Sequence, residues 1–428
     1  MLDINLIRES PEKIRTALSK RLLDVDFTGL LGWDRERREL IARSDELKAR
    51  RNKVSSEIPL MKKRGEDVSS LIQEMKQVSD TIKELDGSRG ELDKNIREFL
   101  EVLPNIPADD VPAGGKENNE ILREVGQKSK FDFEPKDHME LVTTLGLIDY
   151  KRGAKLGGSG FWVYQHRGAV LEWALLNYFV QEHLKDGYEF ILPPHILNYQ
   201  CGYTAGQFPK FSDDVFHISQ DDDSGEGQFL LPTSETALAS LHRDEILSEE
   251  QLPRKYFSFT PCYRREAGSY RAGERGMIRG HQFNKIEMFQ YTLPEQSEKA
   301  LEELLAKAER LVQGLGLHFR IAKLAAGDCG AAMGKTYDVE IWIPSMNDFK
   351  EVSSISNAYD YQARRGNMRF KRKDTGKNEL LHTLNASALA TSRLLPALCE
   401  QLQQPDGSVA LPEVLQRWTD FKTIEPVV

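Results

Sequence analysis

Apolar residues recur every seven positions between Trp33 and Leu103, and this limits the possible folds more than any other feature. Trp33, Leu40, Leu47, Val54 and Met61 form one column. Beyond Gly65 two more appear: Leu71, Val78, Leu85, Leu92, Phe99, and Met75, Ile82, Ile96, Leu103, the second interrupted by Arg89. Such a repeat lays a seam along a helix that another helix must cover. One turn signal, at Gly65, divides the pattern, so the expected structure is a hairpin of two long helices, an antiparallel coiled coil. About 30 residues per helix gives an arm of roughly 45 Å. Pro59 falls inside the first run and predicts a kink or early end there.

Charge divides between the two runs. Residues 34–64 hold 11 Lys/Arg against 6 Asp/Glu, a net +5, and residues 66–101 hold 5 against 10, a net −5. Pairing of helix against helix accounts for this division. A basic stripe for a phosphate backbone, built on residues such as Arg43, Arg50 and Lys53, is the alternative. The whole chain carries −9, which excludes a wholly basic nucleic-acid binder but not a local basic surface.

Residues 103–115 (LPNIPADDVPAGG) read as a linker and a domain boundary. Residues 1–30 read as a short helical lead-in starting near Pro11, and residues 137–185 as mostly helical. A strand at 187–194 ends in two prolines, and residues 229–235 run from a short strand into a helix. A polar insertion at 221–227 lies before it. A helix follows over about 296–313, then strands at 337–343 and 351–357, then a strand-to-helix junction at 383–393. Strands with helices around them predict an antiparallel α+β domain.

Residues 262–291 (CYRREAGSYRAGERGMIRGHQFNKIEMFQY) look like two strands around a Gly- and Arg-rich loop. Arg264 and Glu266 would share one strand face, and Phe283, Lys285 and Glu287 another, because side chains two apart point the same way. Charge with a single ring suits a nucleotide: guanidinium on phosphate, ring under base, carboxylate on amine. The familiar phosphate loops are missing. Gly334-Lys335-Thr336 nearly completes a P-loop, but Cys329 stands where its first glycine belongs, and no G-x-G-x-x-G follows a strand. Cys201, Cys262, Cys329 and Cys399 lie far apart, which predicts a reducing compartment and no structural zinc. No apolar run reaches the roughly 18 residues of a membrane span. The opening MLDINLIRESPEK lacks an apolar leader core, so a cytoplasmic location is expected.

The hairpin, the Gly-Tyr-Glu strand ending in Pro193-Pro194, and the late Arg393 resemble motifs 2, 1 and 3 of class II aminoacyl-tRNA synthetases. Within that class the chain resembles the seryl-tRNA synthetases over nearly its whole length. The resemblance runs through PKF (209–211), Thr233 with Glu235, LHRDEILSEE (241–250), CYRREAGS, HQFNKIE, KTYDVEIW (335–342), SNAYDYQARR (356–365) and HTLN (382–385). It implies a tRNA-binding helical domain over 1–103 and a class II catalytic domain over 104–428, an antiparallel sheet flanked by helices. It implies that L-serine is activated by ATP with Mg²⁺ and passed to tRNA(Ser), with tRNA(Sec) left open as a second acceptor, in a homodimer.

The implied serine contacts are Thr233, Ser234, Glu235, Arg264, Glu287, Asn385 and Ser387. The implied ATP contacts are Arg264, Arg265, Glu266, Arg279, Gly280, Phe283, Glu351, Val352, Ser353, Ser354 and Arg393, with Glu351 and Ser354 also meeting the metal. Arg43, Arg50 and Lys53 are implied to meet tRNA. Ala205, Gly280, Ala386 and Ala388 depart from the usual family residues. Two other functions fit a related core: serine transfer to an acceptor other than tRNA, which needs no arm, and a non-catalytic role, which would not require Arg264, Glu266, Glu351 and Arg393.

Overall fold

The structure, a computed structural model, describes residues 1–218, 227–266 and 276–427. Most of the polar insertion, and residues 267–275 of the hairpin loop with the end of the CYRREAGS motif, lie outside the described residues. The chain divides into two compact units. The smaller holds residues 2–16 and 24–103, and the larger holds Met1, residues 17–23 and residues 104–428. No helix among the described residues is long and apolar enough to cross a membrane.

In the smaller unit, α1 (Thr28–Lys63) and α2 (Ser69–Glu101) have 36 and 33 residues, giving lengths of about 54 and 50 Å. The helix does not end early at Pro59: α1 runs on to Lys63. Proline removes only its own bond to the preceding turn, and the neighbouring bonds carry the helix past it. Met75, Val78 and Ile82 of α2 are buried against Leu47 and Val54 of α1, as the heptad columns require. Leu100 is buried outside both columns, while Phe99 meets the rings of Trp33 and Phe27 at 6.3 and 6.4 Å. Charge pairing is real: Lys48 lies 3.0 Å from Asp86, Arg37 3.3 Å from Asp93, and Arg50 pairs with Glu74. Asp34, only 1% exposed, is gripped by Arg8, Arg37 and Arg38 at 3.1, 2.6 and 3.2 Å.

The larger unit is built on an eight-stranded sheet among the described residues. Its strands are β1 (Glu120–Val125), β2 (Glu189–Ile191), β3 (Arg254–Tyr263), β4 (Gln282–Thr292), β5 (Phe319–Lys323), β6 (Lys335–Ile343), β7 (Asp348–Tyr359) and β8 (His382–Ala390). They lie in the order β1-β5-β6-β7-β8-β4-β3-β2. Neighbours are antiparallel except β2, which runs parallel to β3. Helices α3 (His166–Lys185), α4 (Ser297–Gly314) and α5 (Thr391–Gln401) contribute Leu171, Leu304 and Leu394 to the core beside the sheet.

The period-two alternation of the strands decides what the other face carries. In β6, Tyr337, Val339, Ile341 and Ile343 join that core, and Asp338 and Glu340 alternate with them. In β8, Leu384, Ala386 and Ala388 join it, and Asn385 and Ser387 alternate with them. In β4, Ile286 and Met288 join it, and Lys285 and Glu287 alternate with them. One face of the sheet therefore buries hydrocarbon, and the opposite face carries these polar side chains beside a second apolar cluster that holds Phe289 and Tyr291.

Candidate active site

Glu287 lies at the centre of the polar face, fully buried. Its carboxylate lies 2.7 Å from Lys285 Nζ and accepts from Asn385 Nδ2 at 3.0 Å and Ser387 Oγ at 3.3 Å. Lys285 also donates to Thr233 Oγ1 at 2.6 Å. Glu235 sits nearby, held by Gln362 Nε2 at 2.8 Å. Burial first, and then the charge of Glu287, push its carboxyl up to about 7. Gln362 reaches the Ala205 carbonyl as well, at 3.0 Å. The Ser234 hydroxyl is buried without a hydrogen-bond partner among the described residues.

Arg264 and Glu266 do not share a strand face: β3 ends at Tyr263, and both residues follow it. The Arg264 amide still donates to His281 O at 2.9 Å, but the Arg265 amide turns to Asp214 O at 2.8 Å, so the chain peels away from β4 there. Glu266 takes a left-handed φ of 52° and pairs with Arg279. The Arg264 guanidinium lies 5.2 Å from the Phe283 ring centre and donates to Pro232 O at 3.2 Å. Arg265 is directed elsewhere, donating to Asp213 O at 3.3 Å. Phe283, Lys285 and Glu287 do alternate along β4, opposite Cys262, Thr260 and Ser258 of β3.

Two cavities meet this surface. One of about 540 Å³ is lined by Thr233, Glu235, Arg264 and residues 330–333. The second, about 290 Å³, is lined by Arg279, Asp338, Glu340, Glu351, Ser354 and Arg393. Arg279 lines both. A narrow space between Arg264, Phe283, Glu351, Ser387 and Arg393 shares their walls. Arg393, early in α5, lies 3.4 Å from the Glu351 carboxylate and donates to its carbonyl at 2.8 Å.

Asp338 stands opposite Ser354, and Glu340 opposite Glu351, across the β6–β7 ladder. Burial, then the charges of Glu351 and Glu340, hold the Asp338 carboxyl well above the usual range, and its Oδ1 is buried without a hydrogen-bond partner among the described residues. Val352 belongs to the apolar core, and Ser353 donates to the Ser387 carbonyl. No group of three His, Cys, Asp or Glu suited to a metal occurs among the described residues.

The departures have local reasons. A Cβ on Gly280 would overlap the Trp162 ring. Ala386 and Ala388 face the apolar core, away from Glu287. Arg43 and Lys53 are exposed on α1, while Arg50 is tied to Glu74. Sequence reasoning left out Gln362, Asp338 and Glu340 as site groups, and placed Lys285 on the charged strand face without giving it a contact. Lys285 was visible two residues from Glu287, and Asp338 and Glu340 alternate within KTYDVEIW. Nothing local marked Gln362.

Residues 216–402 match the model of the tRNA synthetase class II core domain (G, H, P, S and T), and residues 1–107 that of the seryl-tRNA synthetase N-terminal domain. The larger unit thus has the core of a class II aminoacyl-tRNA synthetase. The chain is 62% identical to serine--tRNA ligase 2 of Clostridium acetobutylicum over 98% of its own length and 99% of that protein. It also superposes on the seryl-tRNA synthetase of Pyrococcus horikoshii complexed with ATP, with a TM-score of 0.91, 35% identity and full coverage of both chains. A cytoplasmic serine-tRNA ligase of Naegleria fowleri in complex with AMP gives a TM-score of 0.86 at 28% identity, covering 100% of this chain and 99% of that one. With both family models matched and relatives aligned end to end, the chain belongs to the seryl-tRNA synthetase family.

Proposed function

We propose that the chain is a serine--tRNA ligase: it activates L-serine with ATP to seryl-adenylate and transfers the seryl group to tRNA(Ser). The observation that carries the serine assignment is Glu287, a buried carboxylate already paired with Lys285, Asn385 and Ser387 beside the Thr233–Glu235 wall. Such a group binds an ammonium and accepts from a small hydroxyl. Thr233 and Glu235 line the adjoining cavity, and Ser234 between them is the third serine contact in this reading.

The first step needs position and charge rather than a covalent nucleophile. A serine carboxylate oxygen attacks the α-phosphorus, the P–O bond to pyrophosphate breaks, and pyrophosphate leaves. Arg264 holds the serine carboxylate and the α-phosphate, while Arg265, turned toward Asp213, takes no part. Phe283 stacks on adenine, Glu266 and the Gly280 backbone meet the adenosine, and Arg279 and Arg393 meet the outer phosphates. Val352 and Ser353 contribute backbone to that wall.

Mg²⁺ fits the second cavity. Glu351 and Ser354 stand beside Asp338, whose orphaned oxygen and raised pKa mark a place short of positive charge. Mg²⁺ takes one or two carboxylates together with substrate phosphates, so Glu351 and Ser354 would hold it. When bound it supplies positive charge to the nucleotide phosphates.

Residues 1–103 form the tRNA-binding part and residues 104–428 the catalytic part in this reading. Arg43, Arg50 and Lys53 meet the tRNA backbone. tRNA(Sec) stands as a second acceptor, because an arm that reads shape and phosphates does not depend on base edges. The full-length arm argues for tRNA over another acceptor, and the retained Arg264, Glu266, Glu351 and Arg393 argue for catalysis.

Serine should stimulate ATP–pyrophosphate exchange by on the order of 10⁴-fold over alanine, since a pocket built around a hydroxyl is left with unpaired groups by its absence. Comparable exchange with both amino acids would refute the pocket.

A further inference from the structure

Residues 330–333 line the larger cavity together with Thr233 and Glu235. They belong to the run LAAGDCGAAMG (324–334), which joins β5 to β6 and has mostly small side chains. Such a segment has little of its own with which to hold a position, and its carbonyls must find donors.

Arg21 supplies several. Its Nη1 donates to Ala326 O at 3.0 Å and Cys329 O at 3.2 Å, and its Nη2 donates to Met333 O. Its Nε donates to Asn105 O at 2.8 Å. Asn105, buried, holds the same run: its amide donates to Ala331 O at 2.7 Å and its Nδ2 to Ala332 O at 3.0 Å. Burial lowers the Arg21 pKa, yet a guanidinium keeps its proton, so the ring of carbonyls is what compensates its charge. Only a planar fork with five donors can span acceptors this far apart, and a lysine ammonium cannot.

We propose that Arg21 is a positioning residue for amino-acid binding: by gripping the carbonyls of Ala326, Cys329 and Met333 it fixes residues 330–333, which line the pocket together with Thr233 and Glu235. The inference rests on the serine-activating reading of that site. Arg21 itself touches no substrate and acts through residues 330–333.

The test uses the full-length enzyme and its Arg21→Met and Arg21→Lys variants, with Lys20→Met as the neighbouring control. Lys20 donates to Asp109 O at 2.8 Å and Val111 O at 3.2 Å, carbonyls of the linker rather than of the wall. Serine KM, ATP KM and kcat are read in pyrophosphate exchange, alongside melting temperature. Both Arg21 variants should raise serine KM by about ten-fold or more, because a wall displaced by about an ångström spoils the bound geometry. ATP KM and kcat should stay within about three-fold, and Lys20→Met should resemble the parent. If Arg21→Met does not fold, Arg21→Lys and Asn105→Ala carry the same readout, the latter with a rise of about three-fold.

An unchanged serine KM in a folded Arg21 variant would overturn the proposal. So would a parallel loss in serine KM, ATP KM and kcat, which is the signature of general loosening. A parent without serine-dependent exchange would refute the functional reading itself, which separates the two failures.

Discussion

Glu235 is a buried carboxyl whose pKa stands at about 7 against an ordinary 4.5, raised by burial and by Glu287. Below pH 4.5 the folded and unfolded chains both hold its proton, and the group costs nothing. Between 4.5 and 7 the unfolded chain ionises first, so stability falls as pH rises, by about 3 kcal/mol in total once pH exceeds 7. Glu235→Gln should therefore melt above the parent at pH 8, with the gap closing as pH falls to 4.5. An ammonium in the pocket favours the ionised form, so serine KM of the parent should fall as pH rises through about 7, and the variant should lose that slope. A temperature gap that ignores pH would contradict the assignment. Glu287 was legible in the sequence because a charged side chain at strand spacing inside an apolar context needs a partner, whereas Arg264 lies past the strand end and was marked only by the family motif. Gln362 and Arg21 were not, since each acts across more than a hundred residues on backbone or side chains that no local pattern announces.

At the scale of elements, α3 and β2 expose apolar side chains that the larger unit leaves uncovered. Trp173 is 57% exposed and Leu192 70% exposed, with Val170 and Phe190 also open. An apolar face of this kind suits a self-complementary two-fold contact, the commonest in soluble oligomers. Light scattering should give about twice 48.8 kDa, and Trp173→Glu with Leu192→Asp should shift the mass toward one chain. A monomeric parent at micromolar concentration would remove the case for a homodimer. The long elements were readable because periodicity is a property of many residues at once: the heptads gave α1 and α2, and strict alternation gave β6. Single-residue exceptions were harder. Pro59 is tolerated by the turns around it, and Glu266 leaves the strand because the backbone turns at Arg265 toward Asp214.

For the whole molecule, the proposed chemistry and the proposed tRNA grip fall in separate units. The proposed adenylation residues lie between Thr233 and Arg393 in the larger unit, and Arg43, Arg50 and Lys53 lie on α1 of the smaller. Replacing residues 31–103 by a short Gly/Ser linker should leave serine-dependent pyrophosphate exchange within a few-fold of the parent while charging of tRNA(Ser) falls by orders of magnitude. Binding by the intact arm should weaken with salt by about one power of concentration per phosphate neutralised. An armless enzyme that still charged tRNA(Ser) well would assign the arm to another partner. Helix-to-helix pairing takes up part of the +5 surface, as at Arg50 and Glu74, so the free charge is smaller than composition implies. The hairpin also gives this family a simple way to vary. One extra heptad in each helix would lengthen the arm by about 10 Å and keep the seam in register, and no strand of the sheet would have to change. Reach toward a longer or shorter RNA feature can therefore evolve in whole-heptad increments, while selection on the adenylating pocket continues undisturbed.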